Sequence, residues 1–510
     1  MDRRAFVKSA AMTSAMALSK PGIPVFGMES QSSDSSRISI DLHKTEGPLP
    51  HVWEECVGSD RAAVALRQQW LSDLERCKRE IGFKSVRFHG LFDDEMGVWA
   101  SGAKPNFLYI DMVFDAMLER GVRPFVELSF MPAKLASGHN TAFFYRGNTT
   151  PPNDIAKWGE LIRDFGEHCV MRYGIGEVSK WSFEVWNEPN LRFFWTGSQS
   201  DYFELYRHAA TALKSVNREM RVGGPSTAQA AWVGDFLDFC AKENLPIDFA
   251  STHIYPDDPQ KAVFGVDVNY TYEEVIPKAL QKVRTQIESS KFPALPLHVT
   301  EWSSQNPAFI AHTVKGTKGL AQMMSYWTFD NIFEEMGIPK PFMNSAFGLL
   351  GMRGIPRPSY HTFTLLHRLG EVELKTGDSP VLATRRGDGS IAILVWNLVP
   401  QPPGQHTSTG DPALQTGVQY SNEGKPREFV LVFEGEHRRL KGQITRVDEN
   451  SGNLRRAYEQ LGSPEYPTVQ QIEQLKQSTQ IAKAHPVTLS DHGELSISVP
   501  PNGIALIELR

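Results

Sequence analysis

The sequence predicts an α/β protein: a (β/α)8 barrel of the TIM type, followed by an all-β sandwich. Three observations carry that expectation. Between residues 51 and 370 short apolar runs alternate eight times with amphipathic stretches. The runs are nearly continuous in apolar residues, as in parallel strands covered by helices. From about residue 371 onward the pattern becomes short β-like runs separated by turn residues. Eight βα units fit a closed barrel better than an open doubly wound sheet.

The predicted barrel strands are HVWEECV (51–57), SVRFHG (85–90), RPFVELSF (123–130), WSFEVWN (181–187), RVGGPS (221–226), FASTHIY (249–255), LPLHVTEW (295–302) and SYWTFD (325–330). Apolar residues recur at helical spacing over Ala62–Ile81, Tyr109–Arg120, Asp154–Tyr173, Asp201–Val216, Ala230–Glu243, Thr271–Ser289, Ala308–Met323 and Ser359–Leu369. In the second domain, residues 371–510, the run 381–399 alternates around Gly387-Asp388-Gly389, which marks a hairpin. The Pro/Gly/Thr-rich stretch 400–418 reads as a surface loop and Pro467–Ala484 as a helix. RISIDL, within residues 37–50, is strand-like and is expected to join the sandwich.

The first 36 residues are set apart from the fold. MDRRAFVKSAAMTSAMALS places Arg3-Arg4 before a short, mild apolar stretch, as in a twin-arginine export signal, and a Ser-rich linker follows. A periplasmic or extracellular location is the expectation. The net charge of −6 gives no basic footprint for nucleic acid, and no apolar run is long enough to span a bilayer. The four cysteines show no CxxC spacing and read as packing residues, with one disulfide left open.

Two glutamates stand out. Glu188, in FEVWNEPN, directly follows predicted strand four, and Glu301, in HVTEW, ends predicted strand seven. Catalytic groups of such barrels sit at the C-terminal ends of the strands, so both face one cavity. Facing carboxyls are the equipment for cleaving a glycosidic bond: one protonates the leaving oxygen while the other supports positive charge at the anomeric carbon. The proton donor needs a raised pKa, for which Trp186 and Trp195 offer an apolar wall and Glu301 a like charge. Either carboxylate alone would read as a salt-bridged loop residue. Two at matching strand ends make catalysis the better reading.

The block from Cys56 to Tyr360 resembles glycoside hydrolase family 39, the β-xylosidase and α-L-iduronidase family. The resemblance rests on ECVGS, RFHGLFDDEMG, FMPAKLASG, WSFEVWNEPNL, HIYP, HVTEWSS, YWTFDNIFEEMG and FGLLGMRGIPRPSYH. It implies a barrel plus β-sandwich and a retaining mechanism, with Glu188 as acid/base and Glu301 as nucleophile. It further implies that Asn187 binds the sugar 2-hydroxyl and that His89, His253 and Tyr255 line the pocket, with Trp327 and Glu335 on the glycone. Without it, His89 reads as a core histidine, Trp327 as barrel packing and Glu335 as a solvated helix charge. The HIYP and HVTEW blocks look more like the xylosidase branch, which favours a neutral β-glycoside. An iduronate would need a cation near C5, for which Arg192 is a candidate.

No cofactor or metal is expected: none of the 15 histidines forms a His-x-His pair, and GxSxG, a P-loop and a dinucleotide fingerprint are absent. A non-catalytic carbohydrate-binding protein on the same scaffold is the rival reading. Oligomeric state is not legible.

Overall fold

The computed structural model describes residues 36–99, 104–335, 337–338, 347–377, 379–400, 423–435 and 440–510. Strands Val57–Arg61, Ser85–His89, Arg123–Leu128, Ser182–Val185, Arg221–Thr227, Phe249–His253, Leu297–Trp302 and Met323–Tyr326 close into one barrel. Each pairs in parallel with the next, and Tyr326 pairs with Val57 to complete the ring. The export segment expected before Ser36 and the surface loop expected over 400–418, from residue 401 on, lie outside the described residues.

The helices end where local chemistry stops them. Asp154 accepts from the backbone of Ala156 and Lys157 to open Ile155–Tyr173, and Gly174 follows its end. Ser198 and Asp201 form a capping box at the start of Gln199–Val216. These two helices, one before and one after strand four, pack against each other through residues such as Trp158, Phe165, Leu205 and Tyr206.

The first strand departs from expectation. It runs Val57–Arg61 and not 51–57, because Glu54 turns aside to bind His51 and His367. The apolar run before Val57 is thus the approach to the barrel, and Asp60 and Arg61 are carried to its catalytic end. Strand eight likewise spans Met323–Tyr326, which leaves Trp327 just past its end.

Two sheets make the second domain. Ser36–Asp41 pairs in parallel with Arg427–Glu434, which pairs with Glu494–Val499. A seven-stranded sheet containing Thr45–Pro48, Val381–Arg385, Ile391–Trp396 and Ile504–Leu509 faces it across Ile40, Ile393, Phe429, Leu431, Ile497 and Ile507. Helix Val469–Ser478 lies where the sequence predicts one. A second helix, Leu454–Gln460, joins it, and both pack on Ile355, in the connection between strand eight and the helix Pro358–His367. The domain also grips the barrel: Lys315 Nζ donates to the carbonyls of Gly377 at 2.7 Å and Ser379 at 2.8 Å. All four cysteines are free and buried. No helix among the described residues is long and apolar enough to cross a membrane.

Candidate active site

The barrel interior is layered. Phe125, Phe249, Cys56 and Met323 form an apolar floor. One step up, inward positions on strands two, three and four carry Arg87, Glu127 and Glu184, all fully buried. Buried charges persist only when paired, and these are. Arg87 donates to Glu184 at 2.6 Å, to Asn187 at 2.9 Å and to Glu301 at 3.0 Å, and sits 2.8 Å from Glu127. Thr300 donates to the other oxygen of Glu184 at 2.9 Å.

The mouth stands on this platform. Glu301 is held on one oxygen by Arg87 and on the other by the Tyr255 hydroxyl at 2.8 Å. Two donors, one of them charged, thus fix the orientation of this carboxylate. Glu188 is fully buried and meets His253 Nδ1 at 3.0 Å; the same nitrogen is 3.5 Å from Glu301. One carboxylate oxygen of each glutamate and a ring nitrogen of His253 lie within 4.8 Å of one another. That closeness fits the roughly 5 Å carboxyl spacing of retaining glycosidases and leaves no room for the wider inverting arrangement. These three side chains could in principle hold a metal ion, but Arg87 and Tyr255 already occupy Glu301.

The backbone around Glu188 is unusual. Trp186 and Glu188 both have left-handed conformations, with φ of 69° and 45°. Such conformations are rare outside glycine and persist when the surroundings enforce them. Here the Glu188 N–H donates to the Ser226 carbonyl at 2.8 Å. Ser226 is itself the extra residue of a bulge: Pro225 pairs with Ser251 and Thr227 with Thr252, leaving Ser226 between them at φ 55°. The bulge aims its carbonyl at Glu188, while its hydroxyl accepts from Arg87 at 3.3 Å.

His89 lies 3.9 Å from Glu301 and 3.6 Å from Glu335. Burial opposes its charge, but Glu127, Glu335 and Glu301 outweigh burial and hold the imidazolium up to about 10. Burial likewise pushes Glu127 up, and Arg87 and His89 pull it below its ordinary value. Trp327 lies 4.7 Å from the His89 ring and against strand one, where a side chain at Gly58 would overlap its indole. Gly58 is therefore the glycine this wall requires.

All eight residues singled out in the sequence fall in this one connected set: His89, Asn187, Glu188, His253, Tyr255, Glu301, Trp327 and Glu335. Trp186 and Trp195 meet edge to face at 5.0 Å and donate to the Phe194 and Ser198 carbonyls, so they buttress the loop. Arg192 is exposed and bound to the Thr196 carbonyl at 2.6 Å. Sequence reading passed over Arg87, Glu127, Glu184 and Ser226. The first three carried a usable signal, since charged residues inside doubly covered strands are buried and need partners. The Ser226 bulge carried none.

Known proteins agree with this geometry. The model for glycosyl hydrolases family 39 matches residues 36–496. A β-xylosidase of Geobacillus stearothermophilus is 37% identical over 496 residues, covering 90% of this chain and 92% of its own. One of Caldicellulosiruptor saccharolyticus is 36% identical, covering 93% of this chain and 98% of its own. The crystal structure of a monomeric β-xylosidase from Caulobacter crescentus CB15 superposes with a TM-score of 0.83 at 32% identity, over 93% of this chain and 99% of that one. The facing carboxyls, the barrel that carries them and the match along nearly the whole chain lead to one conclusion: this protein belongs to glycosyl hydrolases family 39 and is a retaining glycoside hydrolase.

Proposed function

We propose that the chain is a β-xylosidase-like enzyme that removes a neutral sugar from a chain end, with Glu301 as nucleophile and Glu188 as acid and base. The observation that carries the assignment is the pair of donors on one of two neighbouring carboxyls: Glu301 receives Arg87 and Tyr255, and Glu188 meets His253 beside it. In the first step a Glu301 oxygen attacks the anomeric carbon while Glu188 gives its proton to the departing oxygen, and the glycosidic C–O bond breaks. In the second, Glu188 takes a proton from water, which attacks the same carbon and releases Glu301.

Asn187 supports a sugar hydroxyl in this reading. Its Oδ1 accepts from Arg87, and its Nδ2 is buried with no hydrogen-bond partner among the described residues, which leaves a donor for a sugar hydroxyl. His89 and Glu335 serve the glycone hydroxyls, and Trp327 backs the ring. A neutral sugar is favoured because the nearby cations are already matched. Arg87 and His89 face carboxylates, Arg61 meets Asp60 and Glu334 at 3.0 Å, and Arg192 binds its own loop. A uronate carboxylate would find no cation unclaimed among these and would lie near Glu335 and Glu301. Export by the first 36 residues completes the reading, and cell fractionation with N-terminal sequencing checks it.

Turnover of nitrophenyl glycosides tests both activity and preference. The β-xyloside is expected to lead the β-glucoside, β-galactoside and α-arabinoside, with an iduronide slowest. Faster cleavage of the iduronide would overturn the neutral-sugar assignment, and Arg192→Ala would then be the first variant to measure. No turnover of any glycoside would point to sugar binding alone.

A further inference from the structure

The second asparagine of the NEPN stretch has no part in the chemistry above, yet its amide is fully committed. Asn190 Oδ1 accepts from the Ala228 N–H at 2.9 Å, and Nδ2 donates to the Ala228 carbonyl at 3.1 Å. Both contacts cross from the loop after strand four to the loop after strand five. That second loop is strained. Ser226, Gln229, Ala230 and Trp232 all have left-handed φ, between 49° and 63°. Local strain of this kind is kept only where neighbours over-determine the backbone. The neighbours are visible here: Thr252 donates to the Thr227 carbonyl at 2.8 Å, Lys282 to the Ala230 carbonyl at 2.9 Å, and Asn190 brackets Ala228.

Two residues before Ala228 stands Ser226, whose carbonyl accepts the Glu188 N–H. The path therefore closes on itself: Glu188, Pro189, Asn190, Ala228, Thr227, Ser226 and back to Glu188. We infer that Asn190 is a positioning residue for the acid/base, a ring of hydrogen bonds that holds Glu188 in its left-handed conformation and keeps its carboxyl on His253. The inference rests on the assignment of Glu188 as acid/base. It differs from a general packing role in what it spares: Glu301 hangs on Arg87 and Tyr255, which Asn190 does not touch in this ring.

The expected phenotype is selective. Proton donation matters most for poor leaving groups and little for good ones. Asn190→Ala should lower kcat/KM about tenfold or more on an unactivated disaccharide, yet by less than about threefold on the dinitrophenyl glycoside of the same sugar. Ala228→Pro attacks the ring from the other side, deleting the N–H that Asn190 accepts from. Position 228 opens a short 3-10 turn after an extended Thr227, where proline fits. It should reproduce the same leaving-group selectivity, and the double variant should lose no more than the worse single. Asn190→Ser serves as a milder substitution in case Asn190→Ala folds poorly.

Glu188→Ala, measured beside them, separates the two layers of argument. If it shows no leaving-group selectivity, the acid/base assignment itself fails. If it is selective while Asn190→Ala, Asn190→Ser and Ala228→Pro lose activity equally on both substrates, or lose none, the positioning role is wrong.

Discussion

Two buried histidines in one barrel carry opposite charge states. His298, on strand seven near the floor, stacks on Phe249 at 4.5 Å, and burial with Arg221 nearby pushes it down to about 3. His89, at the mouth of strand two, is held up to about 10. Both are nearly inaccessible to water, so burial alone does not decide. What differs is the layer. The floor around His298 is made of Phe125, Phe249, Cys56 and Met323, whereas His89 faces Glu127 at 2.9 Å and three carboxylates in all. The barrel interior keeps its charges above the apolar floor, in the tier that runs from Arg87, Glu127 and Glu184 up to the mouth.

The largest expected effect comes from emptying that tier of Glu301, the proposed nucleophile. Glu301→Ala should cut turnover by about four orders of magnitude on good and poor leaving groups alike, because covalent capture is lost. Azide filling the cavity should yield the opposite anomer. Retained turnover on a dinitrophenyl glycoside without azide would show that the upper tier is not organised around Glu301.

Next in size is Glu127→Gln, which removes the leading counter-charge of His89 and one partner of Arg87. Breaking a buried pair this way should cost about 3 kcal/mol in denaturant unfolding. The His89 imidazolium, followed by NMR, should then titrate lower, because the charge that raises it most is gone. An unchanged His89 titration would mean that Glu335 and Glu301 hold the proton by themselves.

The pH dependence of stability sharpens the contrast, since the two histidines slope in opposite directions. For His89 the folded value lies above the ordinary 6.5, so its contribution is full below that pH and is lost as pH rises towards about 10. For His298 the folded value lies below 6.5, so its contribution is full above that pH and is lost as pH falls towards about 3. His298→Phe should therefore flatten part of the acid limb of the stability profile. At pH 7 it should change stability by less than about 1 kcal/mol, because the ring it replaces is already neutral and stacked. A large loss at pH 7 would mean that the floor depends on the imidazole.

Much of this was legible in the residues themselves. The eightfold alternation of apolar runs and helical patterns is a local property, written in periods of about two and 3.6 residues, and the barrel followed. Glu188 and Glu301 were visible because each ends a strand, and the barrel sends all its strand ends to one face. The first strand was misplaced because HVWEECV is as apolar as a strand, and Glu54 is turned aside by His51 and by His367, the second more than three hundred residues away. Arg87 and Glu184 were overlooked for a related reason: each looks anomalous inside its own strand and becomes intelligible only beside the other.

By itself, then, the sequence determined the architecture, the order of its strands and the two carboxyls at the mouth. Tertiary structure alone decided which charges share a tier, which histidine is an imidazolium, and how Ser226 and Asn190 close on the backbone of Glu188. The physical reason is one of range. Backbone periodicity depends on neighbours a few residues apart, whereas the pairings of Arg87 with Glu301 or Asn190 with Ala228 join distant strands and loops. Their strength follows from burial in a medium that screens charge poorly, and neither partner nor burial exists until the ring of strands has closed.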